Sequence, residues 1–338
     1  MVCCWLLHLH VVVHFFFGNS SIKHLKRIIL TSLKMLLVLA ARYLHLFRWL
    51  PRELRIVMYH GIGCSGFSEE SFDLQMKFIS KYFETYWVSD AVSLLSDGSN
   101  CSSKKPPIIL TFDDGLSNNM TTAAPILEKY GLKATFFVCS DLMGGKSMLW
   151  NHELRCRLQL LRSETVYKIS NGQCAGNSEQ DVSNFVELVK CWPNDKVKNL
   201  LSLLRKDCPE PSYSAQMLQD YLIMSAEDMC RLPAGVEIGS HTKSHPILDS
   251  LSKDEIESQI VNSKSELTRM LGRDVDVFCY PNGVTNTFCH EVVSKTYKVA
   301  VTTNEGFASC ADGFHLLNRI PSAGNLQDLV WRFIRPTA

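Results

Sequence analysis

The sequence predicts an α/β fold on a parallel sheet, open or closed into a barrel. Three observations support this: strand-length apolar runs alternate with helix-period segments, glycines stop several of those helices, and polar motifs follow directly on the apolar runs.

The alternation starts after residue 52. Arg55-Ile56-Val57-Met58-Tyr59-His60 reads as a first strand, and residues 71–83 carry helical spacing through Phe72, Met76, Phe78 and Ile79. Residues 107–111 form a strand, 122–130 a helix stopped by Gly131, and 134–138 another strand. Later in the chain, 236–238 is a strand, 253–271 a helix stopped by Gly272, 275–280 a strand and 297–302 another. His315, in Phe314-His315-Leu316-Leu317, reads as part of the last strand, ahead of Asn318-Arg319-Ile320-Pro321. Between about 150 and 231 the rhythm breaks. That interval is polar, has helix-like stretches at 182–191 and 196–204, and is punctuated by Gly172, Pro193, Pro209 and Pro211. It reads as a helical insertion that overhangs the catalytic face.

At 338 residues the chain can bury a large core, and one catalytic unit at 53–338 accounts for it. With 35 Lys and Arg against 34 Asp and Glu, no global field draws it to nucleic acid or to an acidic polymer. The 13 cysteines are odd in number and scattered, without a CxxC pair, which argues against a disulfide framework and a thiolate metal site. Cys279 reads as a small buried hydrophobe.

Residues 1–52 differ from the rest, with an apolar, histidine-dotted opening followed by a basic, amphipathic stretch over 28–50. Neither part offers 18 uninterrupted apolar residues, so peripheral membrane attachment or the cytoplasmic face is expected ahead of secretion. A native start at Met35 is an alternative. The histidines at positions 8, 10, 14, 24 and 45 are too irregularly spaced to suggest a metal site.

Two motifs carry the chemistry. Thr111-Phe112-Asp113-Asp114-Gly115 comes straight off an apolar run, and His241-Thr242-Lys243-Ser244-His245 follows another. Alone, the first is an ordinary turn with a capping aspartate, and the second an ordinary histidine pair at i, i+4. Together, at the carboxyl edge of a parallel sheet, they supply a carboxylate and two imidazoles for one divalent ion with open positions, which points to metal-assisted hydrolysis. Glycoside hydrolysis by Asp113 and Asp114 is the rival reaction. It is disfavoured because glycosidase carboxylates flank a bond from opposite sides at roughly 5 to 9.5 Å.

These motifs resemble those of the polysaccharide deacetylase family, the NodB homology domain of carbohydrate esterase family 4, over about residues 55–335. The resemblance implies a distorted (β/α)7-type barrel with a helical insertion, and N-acetylglucosamine-type units of a polysaccharide, oligosaccharide or lipid-linked glycan as substrate. It makes Asp114, His241 and His245 the metal ligands, with zinc the expected ion and cobalt or nickel as alternatives. Asp113 becomes the general base for the attacking water. Met58-Tyr59-His60-Gly61-Ile62 is similar to the opening strand of the exopolysaccharide-type branch, including poly-β-1,6-N-acetylglucosamine deacetylases, which makes His60 the proton donor. His315 is the nearest copy of the acid element found in other branches.

Phe278-Cys279-Tyr280-Pro281-Asn282-Gly283 resembles the third family motif but lacks its arginine, a charge that Arg319 is expected to supply. Tyr280 and Pro281 are expected to line the site, with the Tyr280 N–H as an oxyanion donor. Trp150 is either a sugar-stacking ring or ordinary core, and His152 a surface residue of the insertion. A catalytically silent carbohydrate-binding relative is the non-enzymatic alternative.

Overall fold

The computed structural model describes residues 53–96, 104–207, 211–283, 285–311 and 313–334. The expectations for residues 1–52, for Met35 and for Pro209 lie outside them. Among the described residues no helix is long and apolar enough to cross a membrane.

Among the described residues eight strands run in chain order: β1 (Arg55–Tyr59), β2 (Glu84–Tyr86), β3 (Pro107–Phe112), β4 (Ala134–Val138), β5 (Val236–Ser240), β6 (Val277–Cys279), β7 (Val299–Glu305) and β8 (Leu317–Pro321). All their pairings are parallel. β1 joins β8 on one edge and β3 on the other, so β1 and β3 to β8 close into a seven-stranded barrel. The three-residue β2, which the sequence does not signal, pairs with the first half of β3 while β4 pairs with the second. β8 ends at Pro321 and starts only at Leu317, so His315 precedes it.

The strands are apolar on both faces because both are buried, the condition that a parallel sheet imposes. Leu54, Ile56, Ile109, Phe137, Val277, Cys279, Val299, Val301 and Leu317 pack into one cluster inside the barrel. The alternate set, including Val57, Tyr59, Leu110, Phe112, Phe136 and Ile238, packs outward with Phe72, Met76 and Ile79 of helix Glu69–Tyr82 and with Leu329 and Phe333 of helix Leu326–Ile334. β5 contributes Gly239 to the interior, where a Cβ would fall 2.5 Å from two ring carbons of Phe137. Only a glycine lets Phe137 fill the lumen at that level.

Between β4 and β5 the described chain forms six helices, from Trp150–Leu160 to Ala226–Cys230. They have a core of their own, in which Leu154, Leu158, Val182, Phe185, Val197 and Leu201 pack together. The far end of this excursion is tied to the turn after β3: Ser117 N donates to Leu222 O at 2.7 Å and Met224 N to Gly115 O at 2.9 Å.

Candidate active site

The interior parity of the strands leads directly to the site. Ile109 and Thr111 of β3 point inward, and Asp113 is the next residue in that row; Gly239 is followed in the same way by His241, Val277 by Cys279 and Leu317 by Arg319. The site is therefore the top layer of the barrel interior, at the carboxyl ends of the strands.

Asp114 breaks the parity with φ +74°, and Gly115 follows at φ +68° with its Cβ position 3.0 Å from Val138 Cγ1. Thr242 (φ +68°) and His245 (φ +58°) are also left-handed, so three of the five such non-glycine residues among those described are in the two motifs. Each costs of order 1–3 kcal/mol and persists only where its surroundings hold it. Those surroundings are visible. His241 N donates to Val138 O at 2.9 Å, Ser140 N to Thr242 O at 3.2 Å and Asp141 N to Lys243 O at 3.0 Å. Thr242 Oγ1 accepts from His245 N at 3.1 Å, and Gln259 Oε1 accepts from both Lys243 N and Ser244 N at 3.1 Å.

Asp114, His241 and His245 converge, each buried. His241 Nε2 lies 3.6 Å and His245 Nε2 3.5 Å from the same Asp114 Oδ1. Those separations are long for a hydrogen bond, yet two ligands each ~2.1 Å from a tetrahedral ion stand about 3.4 Å apart. The donor set thus fits a divalent ion. His241 Nδ1 donates to Cys279 O at 2.7 Å, which leaves the Nε2 lone pair facing Asp114. Burial, then the charge of His241, pushes His245 down to about 3, so it stays neutral as a ligand must. Burial acts against the charged form of His241 too, but Cys279 and the Asp114 hydrogen bond raise it well above the ordinary histidine range. A proton there has to leave before a cation binds.

Asp113 is gripped by Arg319, whose Nη1 donates to Oδ1 at 2.7 Å and Nη2 to Oδ2 at 2.6 Å. Arg319 Nη1 also donates to Thr111 Oγ1 at 3.0 Å and Nε to Thr302 O at 2.6 Å, so its side chain reaches across the interior from β8. Burial would raise the Asp113 carboxyl, but the Arg319 charge and hydrogen bonds hold it below the usual carboxylate range. Arg319 thus places a positive charge in direct contact with Asp113. Cys279 is buried as expected, with its thiol 3.6 Å from Asp113 Oδ2.

His60 is exposed at the end of β1, near enough for its charge to bear on both Asp113 and Asp114. His315 is elsewhere: its Nε2 meets Tyr297 O at 3.0 Å, ahead of the first residue of β7 and so at the opposite end of the barrel.

Two expectations need correction. Tyr280 is fully buried with its ring against Phe278, and its N–H donates to Val301 O at 3.3 Å, so that N–H is not an oxyanion donor; Pro281 is buried in the turn that follows. His152 is not a surface residue. It is half-buried, packs on Tyr221 with ring centroids 4.7 Å apart, and is coupled electrostatically to Asp114, His60 and His245. Trp150 is half-buried against the insertion core and donates Nε1–H to His245 O at 2.9 Å, bracing a candidate ligand. Gln259 was not foreseen, because a glutamine on a helix face carries no signal of its partner.

Residues 101–160 and 222–300 match the family model described as polysaccharide deacetylase, the gap between them lying within the insertion. YxkH of Bacillus subtilis (strain 168), named as a polysaccharide deacetylase, is 24% identical over 276 residues, covering 80% of this chain and 71% of its own. Among solved structures, the Streptococcus pyogenes deacetylase PplD in complex with acetate has a TM-score of 0.53 at 22% identity, covering 84% of this chain and 99% of that one. IcaB from Ammonifex degensii has a TM-score of 0.55 at 15% identity, with 83% and 97% covered. At these identities the structural likeness establishes the fold.

Proposed function

From the membership of this chain in the polysaccharide deacetylase family, we propose that it is a metal-dependent amide hydrolase that removes acetyl groups from N-acetylglucosamine-type units of a polysaccharide, oligosaccharide or lipid-linked glycan. The observation that carries this reading is a pair of adjacent carboxylates tuned to different tasks. Asp114 faces two imidazoles at ligand spacing, while Asp113 is held ionised by Arg319.

Asp114, His241 and His245 would hold a divalent ion, zinc in the first instance and cobalt or nickel otherwise. Such an ion acidifies water and polarises an amide carbonyl. Asp113, ionised at neutral pH, takes the proton of the attacking water; the same depressed affinity disqualifies it as a proton donor, which counts against the glycosidase reading. His60, exposed at the rim, gives a proton to the departing sugar amine, and acetate is the second product. Trp150 and Gln259 keep the histidine loop in its left-handed turns. Residues 53–338 form the catalytic unit in this reading, with residues 1–52 as a peripheral membrane attachment.

The test is acetate release from β-1,4- and β-1,6-linked N-acetylglucosamine oligomers and from peptidoglycan fragments, with and without chelator. Release should stop with chelator and return with zinc. Asp113→Asn should keep the metal and lose about 10²- to 10⁴-fold in rate. Chelator-insensitive release, or undiminished release by Asp113→Asn, overturns the reading.

A further inference from the structure

The proposed proton donor is held by its loop rather than by its own side chain. His60 makes no hydrogen bond to another described residue, so the direction of its imidazole is set by Tyr59 before it and by residues 61–67 after it. Tyr59 is fixed at the end of β1, its O accepting from Asp113 N at 3.0 Å and its OH donating to Gln75 Oε1 at 2.9 Å. The loop turns back on itself through Gly63 N, which donates to Phe67 O at 2.8 Å.

Two buried side chains grip that loop from opposite sides. Asn118 is 2% exposed and lies on the turn that follows Asp114; its Oδ1 accepts from Ile62 N at 3.1 Å and its Nδ2 donates to Gln219 O at 2.9 Å. Reversing the amide would set donor against donor, so a single orientation serves both bonds. Gly61, next to His60, permits the approach, since a Cβ there would fall 3.1 Å from Asn118 Nδ2. The other side is helix Ala215–Tyr221 of the insertion. Gln219 Nε2 donates to Gly63 O at 2.7 Å, and Asp220, 7% exposed, accepts from Ser65 N at 3.2 Å through Oδ1 and from Ser65 Oγ at 2.6 Å through Oδ2. Gln216 Nε2 donates to Asp220 Oδ1 at 2.6 Å and holds the carboxylate in place. Burying a carboxylate is costly, and this one is satisfied by an exposed loop serine and a glutamine, with no ion pair among the described residues.

We infer that Asn118 and Asp220 are positioning residues for His60, clamping the loop that carries it between the turn after Asp114 and the helical insertion. The inference rests on the reading of His60 as proton donor. A donor has to meet the departing nitrogen at about 2.6–3.2 Å, and a misplacement of about 1 Å can cost about 10²-fold in rate. Asn118 gives the donor the same frame as the candidate metal ligand Asp114, and Asp220 makes its position depend on the insertion.

Zinc-loaded protein is assayed on N-acetylglucosamine oligomers and on an acetyl ester whose activated leaving group departs as the anion. Asn118→Ala and Asp220→Ala should lower kcat on the oligomers by about 10- to 100-fold, short of the loss in His60→Ala, with KM and zinc content near wild type and little loss on the ester. Asp220→Asn, which keeps an oxygen for Ser65 N, should recover part of that loss. In the His60→Ala background Asp220→Ala should cost nothing further, since no donor is left to aim. Ser65→Ala, at an exposed position, should show the same split between substrates at a smaller loss even if the buried variants fold poorly. Turnover that is undiminished on the oligomers or equally diminished on both substrates, or losses that multiply in the double variant, overturn the clamp. The His60 imidazole NMR signal, assigned by its absence from His60→Ala, reads position without catalysis: it should shift or broaden in Asp220→Ala, and an unmoved signal overturns the inference. Full turnover by His60→Ala, with that signal displaced in Asp220→Ala, removes the donor reading and leaves the clamp standing.

Discussion

Arg319 and Asp113 form a buried fork-to-fork pair, with two hydrogen bonds of 2.7 and 2.6 Å between side chains that are 0% and 3% exposed. Arg319→Gln leaves Asp113 buried and unmatched, so it should cost about 3–5 kcal/mol, read as a fall in Tm. It should also raise the Asp113 pKa. A base works only when ionised, so the acid limb of the pH profile of acetate release should move to higher pH. Arg319→Lys keeps the charge and loses the fork, and should sit between Gln and wild type. An acid limb that stays in place in Arg319→Gln would reduce the pair to a structural role.

His60 is the one member of the proposed machinery that is exposed, as a group that must reach a leaving amine has to be. His60→Ala should lower turnover of N-acetylglucosamine oligomers by about 10²- to 10⁴-fold while zinc content stays at the wild-type level. An acetyl ester with an activated leaving group needs no proton on departure, so the same variant should hydrolyse it nearly as well as wild type. Equal losses on both substrates would exclude the donor role.

Much of the barrel is legible in the sequence because a strand buried on both faces is mostly apolar, as 107–110 and, apart from Thr135, 134–138 are. β2 is not, since Glu-Thr-Tyr is too short and too polar to signal a strand. The helix read across 253–271 is interrupted by a π turn over Ser258–Asn262, which has no sequence mark, and Gln259 lies within that turn. The two motifs of the candidate metal site are legible since residues directly after parallel strands must share one edge. Arg319 is legible only as a spare positive charge; the inward parity that brings it to Asp113 needs the closed barrel. Tyr280 misleads because sequence does not reveal that its N–H is already committed to Val301.

The Asp114, His241 and His245 cluster predicts a thermal signature independent of catalysis. Zinc at about 1,000 times its Kd adds roughly 4.1 kcal/mol to a protein that binds it only when folded. Wild type should therefore show a clear rise in Tm with zinc. Asp114→Asn retains a side chain that tolerates φ near +74° but removes the anionic ligand, so its Tm should respond far less. A full zinc response in Asp114→Asn would place the ion elsewhere.

The insertion is held by Glu153, whose Oε1 accepts from Arg157 Nε at 2.8 Å and Arg205 Nε at 2.9 Å, and whose Oε2 accepts from Arg205 Nη2 at 2.7 Å. The pair with Arg205 joins helix Trp150–Leu160 to helix Asn194–Asp207. Burial opposes its charge, but the hydrogen bonds from Arg205 and Arg157 prevail and hold its pKa below the ordinary value. A carboxyl whose folded pKa is depressed contributes stability above its unfolded pKa, about 4.3, and loses it as pH falls through the folded value. Glu153→Gln should therefore lower stability by about 1 kcal/mol at pH 6, the modest worth of a partly exposed network, with the gap to wild type closing towards pH 3. Thermal scans of both proteins from pH 7 to 3 measure this directly. A gap independent of pH would mean that Glu153 acts through packing alone, and the insertion would then be no more acid-sensitive than the barrel beneath it.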